Sequence, residues 1–253
     1  MRVDGNLEKY NSEAVVAHYA RQDDLQPAEA YLFDRYIGPH MAVLDMGVGG
    51  GRTTPALSAA CKRYVGADYS AAMIAACRDR FPEIDFRHCD ATAMDSFAEG
   101  EFDAVVFSFN GIDVIRSDQD RQKCLTEAAR VLEPGGVFLF SSHNAQMLGV
   151  WPQLCDANGY QVPWRIVRAA SKTAVRLIRG PVSKPYWTGE GYVRDPVHGG
   201  MDHYVSTPAT MKPQLNHAGF EVTDVVGGHY PAVSSPRFSP WFYYACRKIG
   251  GTE

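Results

Sequence analysis

Three features of the sequence predict an α/β fold, doubly wound around a mostly parallel sheet. Short apolar runs that read as strands alternate with segments of helical periodicity between residues 42 and 142. A glycine-rich turn connects the first of these strands to the helix that follows it. The last two apolar runs, residues 220–226 and 240–246, are joined without a helix, so they can pair antiparallel at the end of the sheet.

The composition favours a globular protein with a core of its own. Of the 253 residues 45% are hydrophobic, and the formal net charge is −4, so no overall basic field attracts nucleic acid. The N-terminus lacks the apolar centre of a signal peptide, and no apolar run approaches the roughly 20 residues of a membrane span. The six cysteines include no C-x-x-C pair. We therefore expect buried thiols in a cytoplasmic protein with neither a nucleic-acid nor a membrane partner.

The chain divides into four predicted segments of one domain. Residues 1–39 read as mostly helical, and residues 40–144 hold the first five strands with their helices. Residues 145–205 break this alternation with scattered tryptophans, tyrosines and prolines, and so form an insertion between the fifth and sixth strands. Residues 206–253 supply the last helix and the terminal pair of strands.

The glycine-rich turn lies in the sequence AVLDMGVGGGRTT, residues 42–54. Asp45 ends the strand, and Gly47 and Gly49 occupy the turn, where glycine permits a positive φ or the close approach of a ligand to the backbone. The helix that follows exposes N–H groups at its start. A dinucleotide-binding fingerprint would have a third glycine where this sequence has Arg52, which argues against a nicotinamide cofactor.

Asp68 ends the second predicted strand about twenty residues after this turn. In a β-α-β unit its carboxylate lies at the end of the neighbouring strand, where it can accept hydrogen bonds from both hydroxyls of a ribose. Tyr69 and Met73 follow it and are placed to pack on the attached base. The alternative is that Asp68 only caps the next turn.

Two stretches resemble class I S-adenosylmethionine-dependent methyltransferases. LDMGVGGGR, residues 44–52, is similar to the first motif of that family, and RVLEPGGVFLF, residues 130–140, matches the R-V-L-x-P-G-G step before its fifth strand. The resemblance covers residues 40–145 by motif and residues 206–248 by topology. It implies a seven-stranded sheet with an antiparallel last strand, and S-adenosyl-L-methionine as the cofactor.

The resemblance also implies roles for residues near the strand ends. Asp90, after the third strand, would take the adenine amino group, and the region of Asn110 would pass the methionyl part of the cofactor. The predicted cofactor-binding residues are Tyr19, Asp45, Gly47, Gly49, Asp68, Tyr69, Met73, Asp90, Ala91, Ser108 and Asn110. Tyr19 serves either the core or a lid over the cofactor. The stretch FNGI departs from the N-P-P-Y of base-modifying amino methyltransferases, which disfavours a nucleic-acid base as acceptor.

His143 is the best-placed candidate for a general base, because it ends the fifth strand and strand ends line the crevice of such sheets. A histidine that only packs or orients a loop there is an equal alternative. Weaker candidates for contact with the acceptor are Asp113, His198, His203 and Tyr204. Asn110 and Asp113 could indicate a magnesium site, but hard cations require several carboxylates, so we expect no metal.

The insertion contains one helical stretch with basic residues along one side, from Arg165 to Arg179. Such a side is usually solvated; the alternatives are recognition of an anionic acceptor, such as a phosphate or carboxylate, and contact with a membrane surface. The resemblance implies that the insertion caps the acceptor pocket.

These features predict an enzyme that methylates an oxygen or nitrogen of a small metabolite, such as a sugar or a natural product. One alternative is a protein or RNA methyltransferase, and another is a nicotinamide-dependent oxidoreductase. A third is a binding module that has the fold without catalysis. Stabilisation by S-adenosylhomocysteine but not by NAD would distinguish a methyltransferase from a nicotinamide-dependent oxidoreductase.

Overall fold

The protein is described by a computed structural model over residues 5–146, 183–195, 201–234, 236 and 239–250. The predicted basic helix of residues 165–179 and the candidate acceptor contact His198 lie outside the described residues. Among the helices that are described, none combines the length and the apolar character that crossing a bilayer requires.

The strands form one large sheet and one small one. In chain order they are β1 (Ala42–Met46), β2 (Arg63–Asp68), β3 (Asp85–His88), β4 (Phe102–Phe107), β5 (Leu132–His143), β6 (Gly191–Asp195), β7 (Met201–Val205), β8 (Phe220–Gly227) and β9 (Trp241–Lys248). The large sheet has seven strands in the order β3-β2-β1-β4-β5-β9-β8, and the hairpin β6–β7 is separate. In the large sheet β9 runs antiparallel to both of its neighbours, β5 and β8, whereas the other described pairs are parallel. This confirms the prediction of a mostly parallel sheet with an antiparallel last strand.

The helices connect these strands and precede the first of them. They are α1 (Gly5–Tyr10), α2 (Glu13–Ala20), α3 (Pro27–Tyr36), α4 (Thr54–Ala60), α5 (Ala71–Arg80), α6 (Asp118–Val131), α7 (Ser183–Thr188) and α8 (Pro208–His217), with a 3-10 helix at Gly111–Val114. Serines cap two of them: Ser70 accepts the N–H of Met73 at 3.2 Å, and Ser117 accepts that of Asp120 at 3.0 Å. Such caps satisfy N–H groups that the helix itself leaves unpaired.

Before residue 27 the N-terminal segment is not one continuous helix. Two short helices occupy it, and the break falls at Ser12, whose hydroxyl donates to the carbonyl of Lys9 at 2.7 Å. A serine that bonds to the backbone in this way competes with helix continuation. Pro27 begins α3 at a position where its missing N–H costs nothing, as the sequence predicts.

Apolar residues cover both faces of the large sheet. One buried cluster includes Leu44, Phe138 and Tyr244, and the other includes Val43, Val106 and Leu139. Alternate residues of a strand point to opposite faces, so Val43 and Leu44 serve the two clusters in turn. Because the first five strands are parallel, their carboxyl ends meet at one edge of the sheet. The candidate site lies at that edge.

Candidate functional site

A cavity of about 410 Å³ lies at the carboxyl edge of the sheet, between β1, β2 and β4. This volume is within the about 300–1,000 Å³ typical of small-molecule and cofactor sites. Most of the predicted cofactor-binding residues line it, namely Tyr19, Asp45, Gly47, Gly49, Asp68, Tyr69, Met73, Asp90, Ala91 and Ser108. The predicted residues, which are spread from α2 to the turn after β4, therefore meet around one cavity.

The glycine turn after β1 needs glycine for two separate reasons. Gly47 has φ +68° and Gly49 has φ +55°, conformations that other residues adopt only with strain. Space is the second reason: a Cβ on Gly47 would lie 2.4 Å from the ring of Phe107, and one on Gly50 would lie 2.4 Å from the backbone of Tyr19. The turn is thus packed closely between β4 and α2.

Asp68 ends β2 and is almost completely buried. Its Oδ2 accepts the N–H of Gly49 at 2.9 Å, and its Oδ1 accepts the N–H of Ser70 at 2.8 Å. Burial raises the pKa of this carboxyl, and the two backbone N–H groups oppose that rise. Each carboxylate oxygen has a second lone pair, so Asp68 can still accept both hydroxyls of a ribose.

Asp45 serves the turn itself, although it also borders the cavity. Its Oδ2 accepts the hydroxyls of Thr53 at 2.5 Å and Tyr64 at 2.8 Å, which joins the strand end to the start of α4 and to β2. Burial raises the pKa of Asp45 to about 6, while the two hydroxyls lower it. The structure therefore gives this acid a role in shaping the turn, which the sequence did not separate from cofactor contact.

At the far side of the cavity Asp90 is held by the residue two positions later. Its Oδ1 accepts both the backbone N–H and the hydroxyl of Thr92 at 2.8 Å, which fixes the carboxylate beside Ala91. The ring of Tyr69 lies 5.9 Å from that of Tyr10. This end of the cavity combines an acceptor with aromatic surface, as an adenine requires.

The N-terminal helices cover the cavity. Tyr10 of α1 and Tyr19 of α2 line it, and their ring centroids lie 6.0 Å apart. Asn11 accepts the hydroxyl of Ser70 at 2.8 Å, which ties this cover to the start of α5. Burial raises the pKa of both tyrosines, so their hydroxyls stay neutral. Tyr19 therefore lines the cavity, and its role as a lid over the cofactor stays a prediction.

A buried ion pair links α3 to the glycine turn. Arg52 donates from Nη1 and Nη2 to the two carboxylate oxygens of Glu29 at 2.5 and 2.6 Å. Glu29 also accepts the hydroxyl of Ser108 and the N–H of Gln26, the latter at 2.7 Å. Arg52 occupies the position that distinguishes this turn from a dinucleotide fingerprint, and here it holds the helical segment on the turn.

Another buried acid, Asp113, lies where β4 and β5 end. Asp113 is fully buried in the 3-10 helix, and its Oδ2 lies 2.8 Å from Nδ1 of His143. The Nδ2 of Asn110 lies 3.3 Å from the other ring nitrogen of His143. Neither His143 nor Asn110 is part of the cavity lining, but Phe109 and Gly111 on both sides of Asn110 are.

The remaining acceptor candidates have different surroundings. The ring of His203, on β7, is buried 5.4 Å from the ring of His143. The hydroxyl of Tyr204 donates to Glu190 at 2.7 Å, and its ring packs under the guanidinium of Arg121. The structure therefore places His203 beside the candidate base and Tyr204 in the core.

Several lining residues were not predicted, chiefly Tyr10, Arg52, Thr53, Phe107, Phe109, Val114, Ile115, Arg116 and Asp120. The sequence carries one signal for those after β4. That segment directly follows a buried strand, so it lies at the same carboxyl edge of the sheet as the predicted residues. Within the part of the chain that the structure describes, no group of three His, Cys, Asp or Glu side chains could hold a metal ion.

The chain was compared with known proteins by sequence. Residues 43–136 match a family model described as "Methyltransferase domain". A demethylmenaquinone methyltransferase of Renibacterium salmoninarum is 34% identical over 111 residues, which are 44% of this chain and 45% of that protein. The chain spans between 38% and 45% of the length of the first curated relatives that it matches.

Solved structures with a similar fold cover nearly the whole chain. The CcbJ methyltransferase of Streptomyces caelestis has a TM-score of 0.64 at 16% identity, and covers 95% of this chain and 98% of its own. The 1,6-didemethyltoxoflavin-N1-methyltransferase of Burkholderia thailandensis, solved with 1,6-didemethyltoxoflavin and S-adenosylhomocysteine, has a TM-score of 0.61 at 16% identity. It covers 98% of this chain and 92% of its own. At these identities the likeness concerns the fold.

The cavity fits S-adenosyl-L-methionine, the cofactor of this domain. The glycine turn lines the cavity and could hold the aminoacyl end, Asp68 offers acceptors for the ribose hydroxyls, and Asp90 offers one for an adenine amino group. The motifs, the order of the strands and the family match agree with one another. Residues 43–136 of the chain are therefore a methyltransferase domain of the class I, S-adenosylmethionine-dependent kind.

Proposed function

We propose that the whole chain transfers a methyl group from S-adenosylmethionine to an oxygen or nitrogen of a small metabolite. The observation that carries this proposal is the position of His143. It ends β5 beside the turn of residues 108–111, and that turn also lines the cofactor cavity. A candidate proton acceptor and the cofactor cavity thus share one turn.

The named relatives support a small acceptor. One acts, by its name, on demethylmenaquinone, and a protein of similar fold was solved with 1,6-didemethyltoxoflavin bound. The formal charge of −4 offers no general attraction for nucleic acid, in agreement with this choice. We further propose that residues 145–205, whose described part includes the β6–β7 hairpin packed beside β5, cap the acceptor.

S-adenosylmethionine supplies the methyl group already activated, on a sulfonium that departs as a neutral sulfide. The work left to the chain is to hold the cofactor, align the acceptor and exclude water. We assign the binding of the cofactor to Asp68 and the glycine turn, and we assign its cover to Tyr10 and Tyr19. An acceptor that arrives as a hydroxyl or an ammonium must also lose a proton, and His143 is the residue that we assign to accept it.

The test is to incubate the protein with methyl-labelled S-adenosylmethionine and a small-molecule extract of the source organism. We expect one labelled product, which mass spectrometry identifies. The matched control is Asp68→Ala, which removes the ribose acceptor and should lose both S-adenosylhomocysteine binding and labelling. Label found only in protein or RNA fractions, or in no fraction although S-adenosylhomocysteine binds, would contradict the proposal.

A further inference from the structure

Asp113 is the centre of a buried polar cluster that the cofactor cavity does not include. Its Oδ2 accepts the backbone N–H of His143 at 2.7 Å and faces Nδ1 of the same residue at 2.8 Å. Its Oδ1 accepts the hydroxyl of Ser142 at 2.8 Å. The nearest cation, Nη1 of Arg121, lies 3.8 Å from Oδ1, so it balances the buried charge without taking the oxygen that faces His143.

These contacts determine which ring nitrogen of His143 carries a proton. A carboxylate only accepts hydrogen bonds, so Nδ1 must donate to Asp113. In the neutral ring the lone pair is then on Nε2. The amide nitrogen of Asn110, 3.3 Å from Nε2, is in position to donate to that lone pair. Both neighbours of the ring therefore favour the same tautomer, with the proton on Nδ1.

Asn110 is itself held in a strained backbone. Phe109 has φ +53° and Asn110 has φ +60°. Positive φ values cost free energy in residues other than glycine, and such strained conformations are commonly found at functional sites. The N–H of Asn110 donates to Ser141 at 2.7 Å, which fixes the turn. Its Oδ1 is buried and has no hydrogen-bond partner among the described residues. A half-turn of the amide brings Oδ1 to Nε2, where it can accept from a protonated ring.

We infer that Asp113 is the positioning residue that holds His143 in its Nδ1–H form, and that the amide of Asn110 complements Nε2 before and after it takes a proton. The inference rests on the proposed function and narrows its substrate class to acceptors whose reacting atom carries a removable hydrogen, a hydroxyl or a protonated amine. The X–H bond of the acceptor breaks and its proton passes to Nε2. The electron pair of X forms the bond to the methyl carbon, as the carbon–sulfur pair leaves with the sulfur.

The first test needs no acceptor. Protein with ¹⁵N-labelled histidine is saturated with S-adenosylhomocysteine, and long-range ¹H–¹⁵N correlation spectra report the protonation of each ring nitrogen. The His143→Gln variant identifies the His143 signals by their disappearance. We expect a proton on Nδ1 and a bare Nε2 in the neutral ring. Asp113→Ala, if folded, should move the proton to Nε2, whereas Asp103→Ala, which removes an acid bonded to the N–H of Ala42, should not.

The second test separates positioning from a merely structural role. The initial rate of labelled-methyl incorporation into the metabolite extract is measured for Asp113→Asn, His143→Gln and the double variant. We expect each single variant to lose about 100-fold or more, with affinity for S-adenosylhomocysteine within about twofold of wild type. The double variant should be no slower than His143→Gln alone, because Asp113 acts only through the ring.

The outcomes are distinct from failure of the proposed function. A wild-type ring with its proton on Nε2, or a double variant in which the two losses multiply, overturns the inference. If neither wild type nor any variant labels the extract, the proposed function fails, and the spectra alone decide the tautomer. The isosteric Asp113→Asn, checked by its thermal melting, is the variant of choice where Asp113→Ala does not fold.

Discussion

Glu29 and Asp113 are both fully buried acids near an arginine, but their contacts differ. Glu29 receives both terminal nitrogens of Arg52, at 2.5 and 2.6 Å. Asp113 has Arg121 only at 3.8 Å, and its close partners are the ring and the backbone N–H of His143. The first acid faces a guanidinium, which is always charged, and the second faces an imidazole, which can donate from one ring nitrogen and accept at the other.

The difference teaches what each region is built to do. The Glu29–Arg52 pair is buried and joined by two hydrogen bonds, so it can fix α3 against the glycine turn. The Asp113–His143 contact gains strength when the ring becomes positive, because the carboxylate then meets a cation. The two acids are equally buried, and it is the closest partner that distinguishes them.

The largest expected effect comes from breaking the first pair. Glu29→Met leaves Arg52 as an uncompensated buried charge, and we expect a loss of about 3–5 kcal/mol in the free energy of unfolding. Glu29→Met/Arg52→Met should lose much less than the sum of the single variants, because no charge remains to be paired. Denaturant unfolding measures all three. Additive losses would show that the pair is not the unit we describe.

Asp45 sharpens the comparison, because the donors bonded to this buried acid are hydroxyls. Burial raises its pKa from 3.8 to about 6, so the folded state binds this proton more tightly than the unfolded chain does. The stabilisation is present below about pH 4 and is lost as the pH rises through 6.

Asp45→Asn has no proton to bind at this position, so its unfolding free energy should lack this dependence. Between pH 4 and 7 the stability of wild type relative to Asp45→Asn should fall by about 2 kcal/mol, since each unit of pKa is about 1.36 kcal/mol and part of the loss lies outside this range. Denaturant titrations at several pH values measure the difference. Curves that remain parallel over this range would contradict the raised pKa.

The close packing of the turn gives a smaller effect. Gly50→Ala places a methyl group 2.4 Å from the backbone of Tyr19, so α2 must move from the cavity. We expect affinity for S-adenosylhomocysteine to fall about tenfold, from overpacking of about 1–3 kcal/mol. The matched control is Gly250→Ala, where an added Cβ would meet nothing within 4 Å. Calorimetric titration compares the affinities of the two variants for S-adenosylhomocysteine. Equal affinities would show that the position of α2 does not affect cofactor binding.

The smallest effect tests the strained turn beside His143. Asn110→Ala and Asn110→Gly both remove the amide, but only alanine resists the φ of +60°. We expect the alanine variant to be less stable than the glycine variant by about 1 kcal/mol, measured by thermal or denaturant unfolding. The two should share the same change in the His143 spectra. Equal stability would mean that the positive φ is not retained.

The fold was predictable because its signals are local. The apolar runs, the glycine turn at Gly47 and the Pro-Gly-Gly step each report their own element, and the resemblance supplied the number of strands and the antiparallel last one. The cavity-lining residues at the ends of β1 and β2 were predictable for the same reason. Parallel strands bring their carboxyl ends together whatever the rest of the chain does.

The parts that were not predictable depend on tertiary pairing. The sequence does not say that Arg52 meets Glu29, 23 residues earlier, or that the 3-10 helix buries Asp113 against β5. Asp113 was expected to contact the acceptor, and the structure instead places it behind His143. Phe109 carries no sequence mark of a positive φ, because residues of its type seldom adopt one.

The most direct test of the account is a crystal structure of the protein with S-adenosylhomocysteine. We predict that the ribose hydroxyls lie within hydrogen-bond distance of Asp68 and that the sulfur lies at the end of the cavity nearest Asn110 and His143. A ligand bound with its sulfur away from that turn, or bound outside the cavity, would contradict the account.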